Sequence, residues 1–419
     1  MLFRSGLLDG RGIITGSMDN PQFNGYVLSD ALSINGQLLT DLHGHVYADK
    51  SVVNVQDFSF AESNGGRYVA KGGMKLDDSQ QLFGVLDVTN GSVKNLLALL
   101  DRKNEHLDGK LNGSVEIGGT KDNPSVTVDG KINEVSIDNK VVGDATIDAS
   151  LANRKFKITT LKLPVDEGLI AMGGTLDLDG EADLQVALKD VDIVPFLPLM
   201  GKDIQATGWV TGVVNVTGKT KNPKVELSGA VESGSFNGIG IDEGFVLATM
   251  QDHVIQIQRI QGAKGGYKLS IYGKIPLAAL YTSGYIEASN AKSMDVTIDF
   301  NEADMAVIPL VTTSVKEATG PLKGVIRLTG TVEQPEAYGT VSVRNGTMKL
   351  ANVDNEITGI DGDLIFSGQQ GDFQSRINMG KGSAGLAAKV NWSGHELTNY
   401  KAAVQLDGLD VRSEYIRGP

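Results

Sequence analysis

The stretch that decides the fold runs from Thr175 to Lys189 and reads TLDLDGEADLQVALK. Its apolar residues alternate with mostly charged residues on both sides of Gly180. Alternation with a period of two is typical of a β-strand that has one apolar and one polar face. The sequence Asp179-Gly180-Glu181 between the two runs is typical of a hairpin turn. The stretch therefore predicts two antiparallel strands whose apolar residues share one face.

The same alternation recurs along the chain and gives a set of residues expected on one apolar face. The set is Ile147, Ile158, Leu176, Leu178, Leu184, Val186, Leu188, Val214, Val216, Ile255, Ile257, Leu269, Ile271, Val296 and Ile298. Asn-Gly dipeptides between alternating runs favour tight hairpin turns. They occur at residues 35–36, 64–65, 90–91, 112–113, 237–238 and 345–346. The pattern therefore predicts a largely antiparallel sheet.

The chain also repeats itself about every hundred residues. Each copy contains an Asn-Pro or Gln-Pro dipeptide, with prolines at Pro21, Pro124, Pro223 and Pro335. Glycines precede each proline at fixed intervals, for example Gly109, Gly113 and Gly119 in the second copy. Further glycines cluster about 50 residues after each proline, within residues 65–73, 168–174 and 265–273, and in the fourth copy at Gly380, Gly382 and Gly385. Repeats of this kind predict a stacked array, with copies at 1–106, 107–205, 206–317 and an incomplete 318–419, all forming one continuous β-groove.

Short Leu-rich segments are predicted as helices of one or two turns between the copies. They lie at residues 96–100, 194–200 and 305–311, and the fourth copy would reach its helix at residues 411–416. Ser92, Asp192 and Asp304 precede them as plausible N-caps. A natural repeat array usually has polar capping repeats at its ends, and neither end here resembles one. We therefore interpret the chain as an excerpt of a longer array.

Together these patterns predict an all-β, elongated, curled, largely antiparallel repeat sheet with short helices between repeats. One apolar face of such a sheet must be covered, and no long amphipathic helix is present to cover it. Two solutions are open. The sheet curls until its own aliphatic side chains fill the interior, or it curls part-way and leaves a groove for an apolar guest. Frequent glycine suits both, since 52 of the 419 residues are glycine and glycine permits bends and bulges.

Composition excludes several classes of function. The formal net charge is −13 and there is no cysteine, so a nucleic-acid partner and thiolate or Cys-ligated metal chemistry are disfavoured. His43 and His45 have a spacing that metals can use, but no third ligand is evident. No nucleophile elbow or phosphate-binding loop occurs. The prediction is a chain with no catalytic residues, no cofactor and no metal.

The regularly spaced glycines, the Asn/Gln-Pro dipeptide and the short Leu-rich helix recur together about every hundred residues. This pattern resembles that of the AsmA-like superfamily. The resemblance is greatest to the TamB-type (translocation and assembly module) proteins of diderm bacteria, and all four copies fit it. Such proteins are anchored in the inner membrane and cross the periplasm with a taco-shaped β-sheet. The resemblance implies a periplasmic location, with the full-length protein anchored to the inner membrane. As an excerpt, the chain is expected to lack the family's N-terminal anchor.

The resemblance also implies a function. It is a non-enzymatic hydrophobic groove that carries phospholipid between the inner and outer membranes and supports outer-membrane biogenesis or protein assembly. The fifteen apolar-face residues would then contact phospholipid acyl chains. An Omp85-class outer-membrane protein would be a partner through regions absent here. The alternative is a structural β-solenoid stalk or passenger with a filled core and no cargo.

Overall fold

In a computed structural model, the structure describes residues 4–99, 106–200, 205–236, 239–264, 267–280, 293–310, 314–351, 353–394 and 396–408. Long strands account for most of these ranges, and every strand pairing recorded within them is antiparallel. The prediction of an all-β, antiparallel fold is confirmed. The fourth predicted helix, at residues 411–416, lies outside the described residues.

The contacts divide the chain into two compact units. Unit 1 is Met1–Lys202 with Asn215–Pro223, and unit 2 is Asp203–Val214 with Lys224–Pro419. The division passes through one strand of the third copy, which begins at Ala206 and ends at Lys219.

The first two copies supply the strands of unit 1. The first copy contains β1 (Arg4–Gly6), β2 (Asp9–Ser17), β3 (Asn20–Ile34), β4 (Gln37–Ala48), β5 (Val52–Glu62), β6 (Arg67–Lys75), β7 (Leu82–Ser92) and helix α1 (Val93–Leu99). The second contains β8 (Leu107–Gly119), β9 (Pro124–Ile137), β10 (Lys140–Ala152), β11 (Lys155–Val165), β12 (Gly168–Asp177), β13 (Glu181–Asp192), the 3₁₀ helix η1 (Val194–Phe196) and α2 (Leu197–Met200). From β2 to β12, each strand pairs with the next.

The third and fourth copies follow the same plan. The third contains β14 (Ala206–Lys219), β15 (Lys224–Phe236), β16 (Ile239–Gln251), β17 (Val254–Lys264), β18 (Tyr267–Pro276), α3 (Leu277–Leu280), β19 (Met294–Asp304) and the 3₁₀ helix η2 (Met305–Leu310). Next come β20 (Val315–Thr319), β21 (Pro321–Gly330), β22 (Pro335–Leu350), β23 (Ile357–Gly368), β24 (Gln370–Met379), β25 (Gly382–Ser393) and β26 (Glu396–Asp407). Each copy therefore supplies six long strands. The short β1 and β20 precede the first strand of copies one and four, and β20 pairs with β22 beside β21.

The Asn/Gln-Pro motif forms the first hairpin of each copy. Where the pairing of these strands is recorded, the last glycine before the proline lies directly opposite it, as Gly119 does to Pro124 and Gly330 to Pro335. This glycine has a left-handed backbone in all four copies, with φ of 93° at Gly16, 75° at Gly119, 84° at Gly218 and 81° at Gly330. Glycine adopts that conformation at no steric cost, which explains the fixed spacing of glycine and proline.

The second glycine cluster marks a β-bulge that recurs in three copies. The register shifts between Val55 and Phe58 in β5, between Ile158 and Leu161 in β11, and between Ile257 and Ile260 in β17. The first residue of each shift pairs with a glycine of positive φ, namely Gly72, Gly174 or Gly273. A bulge bends its strand and increases its twist. The repeat thus encodes a bend at the same place in three copies.

The fourth copy lacks this pairing. Gly385 lies in β25 and pairs with the polar residues Arg376 and Gln405. It is therefore on the polar face of its strand and is no equivalent of Gly174.

The Asn-Gly dipeptides were only partly correct as turn signals. Residues 35–36 and 64–65 lie in turns, whereas residues 90–91, 112–113 and 345–346 lie inside β7, β8 and β22. Residues 237–238 lie outside the described residues. Asn90 and Asn345 both have φ of 52° and stand where the register shifts. Asparagine tolerates the left-handed conformation, so it can occupy a β-bulge as well as a turn.

Three of the short helices stand where the sequence predicts them. The backbone N–H of Asn95 donates to Ser92 Oγ at 3.1 Å, which confirms Ser92 as the N-cap of α1. Asp304 accepts from the Ala306 N–H at 2.8 Å at the start of η2. Asp192 accepts from the Val194 N–H at 3.0 Å, although the N-cap residue of η1 is Ile193. Helix α3 has no counterpart in the sequence prediction.

Candidate apolar binding surface

The antiparallel register places apolar residues of unit 1 side by side across twelve strands. Residues directly opposite each other in an antiparallel pair point to the same face. One row of such partners, ladder 1, contains no polar residue. Its members from β2 to β13 are Gly10, Val27, Gly44, Phe58, Ala70, Leu86, Val115, Val128, Ala149, Ile158, Gly174 and Leu184.

A second row, ladder 2, runs beside the first over the same strands. Its members are Gly12, Gly25, Val46, Val55, Gly72, Gly84, Ile117, Val126, Leu151, Phe156, Leu176 and Ala182. It also lacks polar side chains. Neighbouring strands lie about 4.8 Å apart, so the two ladders form a continuous apolar band along the sheet of unit 1.

The predicted residues of unit 1 fall on this face. Ile158 and Leu184 belong to ladder 1, and Leu176 to ladder 2. A third apolar row lies beside ladder 1 and consists of Ile147, Leu161, Met172 and Val186. Leu188 pairs with Ile170.

The placement of Leu178 in a strand was wrong. β12 ends at Asp177, and Leu178 lies in the turn that follows, with 39% of its side chain exposed. The Asp179 N–H donates to Asp177 Oδ1 at 3.0 Å. This local bond closes the turn one residue earlier than the alternating pattern suggested.

Unit 2 has a ladder of the same kind over eleven strands. Its members are Gly229, Val246, Ile260, Ile271, Ile298, Ile326, Gly339, Phe366, Gly371, Val390 and Tyr400. Ile257 and Val296 stand in the next row, joined through Gly273. Ile255 pairs with Met250 and Ile275, and Leu269 with Gly262. Val214 of unit 2 and Val216 of unit 1 both lie on β14 and are half-buried.

The two ends of the strands in unit 1 differ in how tightly they are packed. We call the end that carries α1 and η1 the helix end, and the end with the Asn-Pro hairpins the turn end. Tyr68, Val88, Ile137, Val165 and Val191, all at most 4% exposed, lie toward the helix end. There Phe196 of η1 packs against the buried cluster of Val135, Ile137, Val142 and Ala145. The helix end therefore holds the dry core.

Toward the turn end the apolar side chains are not covered. Among the aliphatic and aromatic members of ladders 1 and 2, Ala182 is the one buried residue, and the others are half-buried or exposed. Ile117 and Phe156 are exposed. We call this part of unit 1, formed by ladders 1 and 2, the apolar surface.

Unit 2 has a larger buried cluster beside its short helices, although the aliphatic and aromatic members of its own ladder are half-buried or exposed. Met305 at the start of η2 is buried in a cluster that includes Val315, Leu322, Val343 and Ile360. Helix α3 adds a cluster in which Ala279 packs with Met294 and Val296. These contacts explain why Val296 is buried, while Ile271 and Ile298 are half-buried.

The opposite face is mostly polar, although exposed apolar residues such as Val85 in unit 1 and Phe245 in unit 2 also lie on it. In unit 1 the row between ladders 1 and 2 on that face contains Glu116, Thr127, Ser150, Lys157, Thr175 and Asp183. In unit 2 the Arg327 guanidinium binds Asp295 through two hydrogen bonds of 2.6 and 2.8 Å. The hydrogen bond from Arg327 holds the pKa of the Asp295 carboxyl below its usual value. The sheet is thus amphipathic, with charges facing water.

The buried carboxylate Glu62 supports the start of α1. It is 4% exposed and accepts from Tyr68 Oη at 2.6 Å and from the Ser92 N–H at 3.2 Å. Burial and the neighbouring Glu62 raise the pKa of the Tyr68 hydroxyl. The sequence did not signal this network, which holds the start of α1 against the sheet.

The two histidines of the His43-Gly-His45 sequence have separate partners. His43 Nε2 lies 2.9 Å from Ser59 Oγ, and His45 Nε2 lies 2.7 Å from Asn24 Oδ1. In the described ranges, no group of three metal-binding side chains converges. No helix in the described part of the chain is long and apolar enough to cross a membrane.

Sequence reasoning found some members of the ladders and missed others, such as Phe58, Val115 and Val128. The repeat contains a signal for Val115, which lies in the second copy between the aligned residues Gly113 and Ile117. In comparisons of the whole chain, no family model, no curated protein and no solved structure matches it.

Proposed function

We propose that the chain is a non-enzymatic lipid carrier that binds phospholipid acyl chains on the apolar surface of unit 1. The observation that carries the proposal is the pair of unbroken apolar ladders over twelve strands, whose side chains remain accessible toward the turn end. A self-filled core would bury them. An acyl chain laid along the ladders would cover that area while its headgroup stays in water.

Withdrawal of the acyl chain from water supplies the favourable free energy of binding in this proposal. Each methylene withdrawn from water contributes about 0.8 kcal/mol, so a chain of sixteen carbons with half of its methylenes covered gains about 6 kcal/mol by the same relation. The ladders offer aliphatic and glycine positions without a directional polar group. A lipid can therefore slide from one strand to the next, and the transfer needs no chemical step and no catalytic residue.

The wider role rests on the resemblance to the AsmA-like superfamily, and to TamB-type proteins in particular. We propose that the chain acts in the periplasm as part of an inner-membrane-anchored protein and carries phospholipid toward the outer membrane. It would thereby support outer-membrane biogenesis or protein assembly. The Omp85-class partner belongs to the same proposal and would bind outside this chain.

The tightly packed clusters favour a second candidate, a structural stalk without cargo. The cluster around Met305 joins ten buried residues of unit 2, as expected of a filled core. The two candidates differ in unit 1, where a stalk would have no use for accessible ladders.

Native mass spectrometry of the purified chain, followed by lipid extraction, tests the proposal. We expect phospholipid to copurify and to be lost from a variant with Ile158→Asp and Leu184→Asp. A matched variant with Lys157→Asn and Asp183→Asn, altered on the opposite face, should retain it. A lipid-free wild-type protein under gentle conditions would favour the stalk.

A further inference from the structure

We propose that unit 2 carries a binding site for a neutral oligosaccharide on the polar face of β17, β18 and β19. The site is a cavity of about 270 Å³ whose lining includes Arg259, Gln261, Ser270, Tyr272, Asp299 and Asn301. It lies on the opposite face of the sheet from the apolar ladder, because Tyr272 and Asp299 directly follow ladder residues on their strands. The proposal is therefore independent of the proposed lipid binding.

Two β-bulges on opposite sides of β18 shape the cavity. In β17, residues 258–259 together stand opposite Tyr272. In β19, residues 300–301 together stand opposite Leu269. Bulges bend a strand and re-aim its side chains, and they are frequent beside functional sites. The two bulges thus give the polar face a concave place around Tyr272.

The polar side chains around the cavity are not used by the fold. Within the described residues, four of them have no side-chain hydrogen bond or ion pair, namely Arg259, Gln261, Ser270 and Tyr272. The Asp299 carboxylate accepts the Asn301 N–H at 2.8 Å with one oxygen, and its second oxygen remains for a ligand. These groups include donors and acceptors. A ligand with several hydroxyl groups can bond to them.

The charges at the cavity favour a ligand without net charge. Arg259 and Lys268 are opposed by Asp299 and Glu302, so two positive and two negative formal charges cancel. Lys268 Nζ lies 3.9 Å from Glu302 Oε2. A phosphate or other anion would meet two carboxylates, and a cation would meet two basic groups. A neutral ligand rich in hydroxyl groups meets no such opposition.

Tyr272 favours a sugar over other neutral polar ligands. Its side chain is 44% exposed, and its ring stacks on no other aromatic ring among the described residues. The face of an aromatic ring is electronegative, so it attracts the C–H groups on the face of a pyranose. The hydroxyls at the rim of the same pyranose then reach the polar side chains beside Tyr272. A sugar therefore uses both parts of the cavity.

The repeat shows that the bulge alone does not require these residues. In the second copy the residue before the bulge glycine Gly174 is Gly173, where the third copy has Tyr272. Asp299 likewise corresponds to Ala187, because each lies three residues after the partner of the bulge glycine. The same backbone thus carries small residues in one copy and an aromatic ring with polar neighbours in the other.

Binding of oligosaccharides to the whole chain tests the proposal. The chain is applied to an array of neutral oligosaccharides that includes maltotriose, cellotriose and chitotriose, with trigalacturonate as the charged comparison. The tightest neutral ligand is then titrated calorimetrically into the wild type and into Tyr272→Ala. Tyr338→Ala is the matched control, because Tyr338 stands in the same row on the same face, is 43% exposed and does not line the cavity. It lies three strands from Tyr272, which is about 14 Å.

We expect a neutral oligosaccharide to bind the wild type more tightly than trigalacturonate does. Tyr272→Ala should weaken this binding about tenfold or more, whereas Tyr272→Trp, which restores an aromatic face, should retain it. Tyr338→Ala should leave the affinity unchanged. Both tyrosines are exposed, so circular dichroism should show all variants folded. Absence of binding across the array, preference for trigalacturonate, or equal losses for Tyr272→Ala and Tyr338→Ala would each overturn the proposal.

Discussion

Ile158 and Gly174 face each other across β11 and β12 at a bulge that recurs in three copies of the repeat. A Cβ atom on residue 174 would overlap the carbonyl oxygen of Asp183 on β13, and the backbone there has φ of 125°. The bulge on β11, the glycine on β12 and the close approach of β13 therefore occur together at one place in the sheet. It lies within ladder 1, so the bend and the apolar band have a common origin in the sequence.

The first prediction concerns this glycine. Gly174→Ala should lower the free energy of unfolding of unit 1 by about 2 kcal/mol or more, because a strained backbone alone costs about 1–3 kcal/mol and the overlap adds to it. Gly173→Ala is the matched control, since its nearest neighbour would be Ile158 O at 3.6 Å. Urea unfolding followed by circular dichroism measures both. Equal midpoints for the two variants would show that residue 174 is under no special constraint.

The second prediction separates the two faces of β13. Leu184→Asp places a charge within ladder 1, whereas Asp183→Asn removes one from the opposite face. A carboxylate beside an acyl chain costs about 2 kcal/mol or more in lost solvation, which corresponds to a loss of affinity of more than tenfold. Binding of a fluorescent phospholipid, titrated into each variant, should therefore weaken for Leu184→Asp and stay unchanged for Asp183→Asn. Similar affinities would contradict the assignment of the faces.

The third prediction concerns η1. Phe196 packs on the buried cluster at the helix end of unit 1, while Val194 of the same helix is 41% exposed. Phe196→Ala should destabilise unit 1 by about 2 kcal/mol, less than the 3–5 kcal/mol typical of a fully buried phenylalanine. It should also raise the fluorescence of an apolar dye such as ANS, because the cluster becomes accessible. Val194→Ala should change stability by less than about 0.5 kcal/mol and leave dye binding alone.

The fourth prediction is a pH dependence at the turn between β4 and β5. Asp49 accepts from the Ser51 N–H and Oγ, both at 2.7 Å, and from Tyr47 Oη at 3.0 Å. The hydrogen bonds from Ser51 lower the pKa of Asp49 to about 2. A carboxylate with a lowered pKa stabilises the fold above the unfolded pKa of about 3.9, and this contribution is lost as the pH falls through about 2.

Asp49→Asn should therefore be less stable than the wild type at pH 7, and the difference should shrink between about pH 4 and pH 2. Thermal unfolding across this pH range measures it. Ser51→Ala, which removes one of the donors, should raise the pKa of Asp49 toward its ordinary value. A difference that stays constant down to pH 2 would rule out this role for the carboxylate.

The sequence predicted the parts of the fold that depend on local chemistry. Alternation gave the all-β class and the correct face for Ile158, Leu176 and Leu184. The glycine and proline of each copy marked a real hairpin because a left-handed residue and a residue with fixed φ are needed at those positions. Ser92 was recognisable as a cap because a serine before a Leu-rich segment has a specific acceptor role.

Other features depended on contacts that no local pattern contains. Asn90 and Asn345 have the dipeptide of a turn but serve bulges, because the strands on both sides continue their pairing. Leu178 fits the alternation but follows the end of β12. The distinction between a covered helix end and an accessible turn end depends on where Phe196 packs, and that contact joins residues far apart in the chain.

The central claim is that phospholipid lies on the apolar surface of unit 1, and site-specific photo-crosslinking tests it most directly. A photoreactive amino acid is placed at residue 147, 158 or 184 on the apolar face, and at 148, 157 or 183 on the opposite face. After loading with radiolabelled phospholipid and illumination, the account predicts lipid adducts at the first three positions and background labelling at the other three. Equal labelling of both faces, or none at residues 158 and 184, would contradict it.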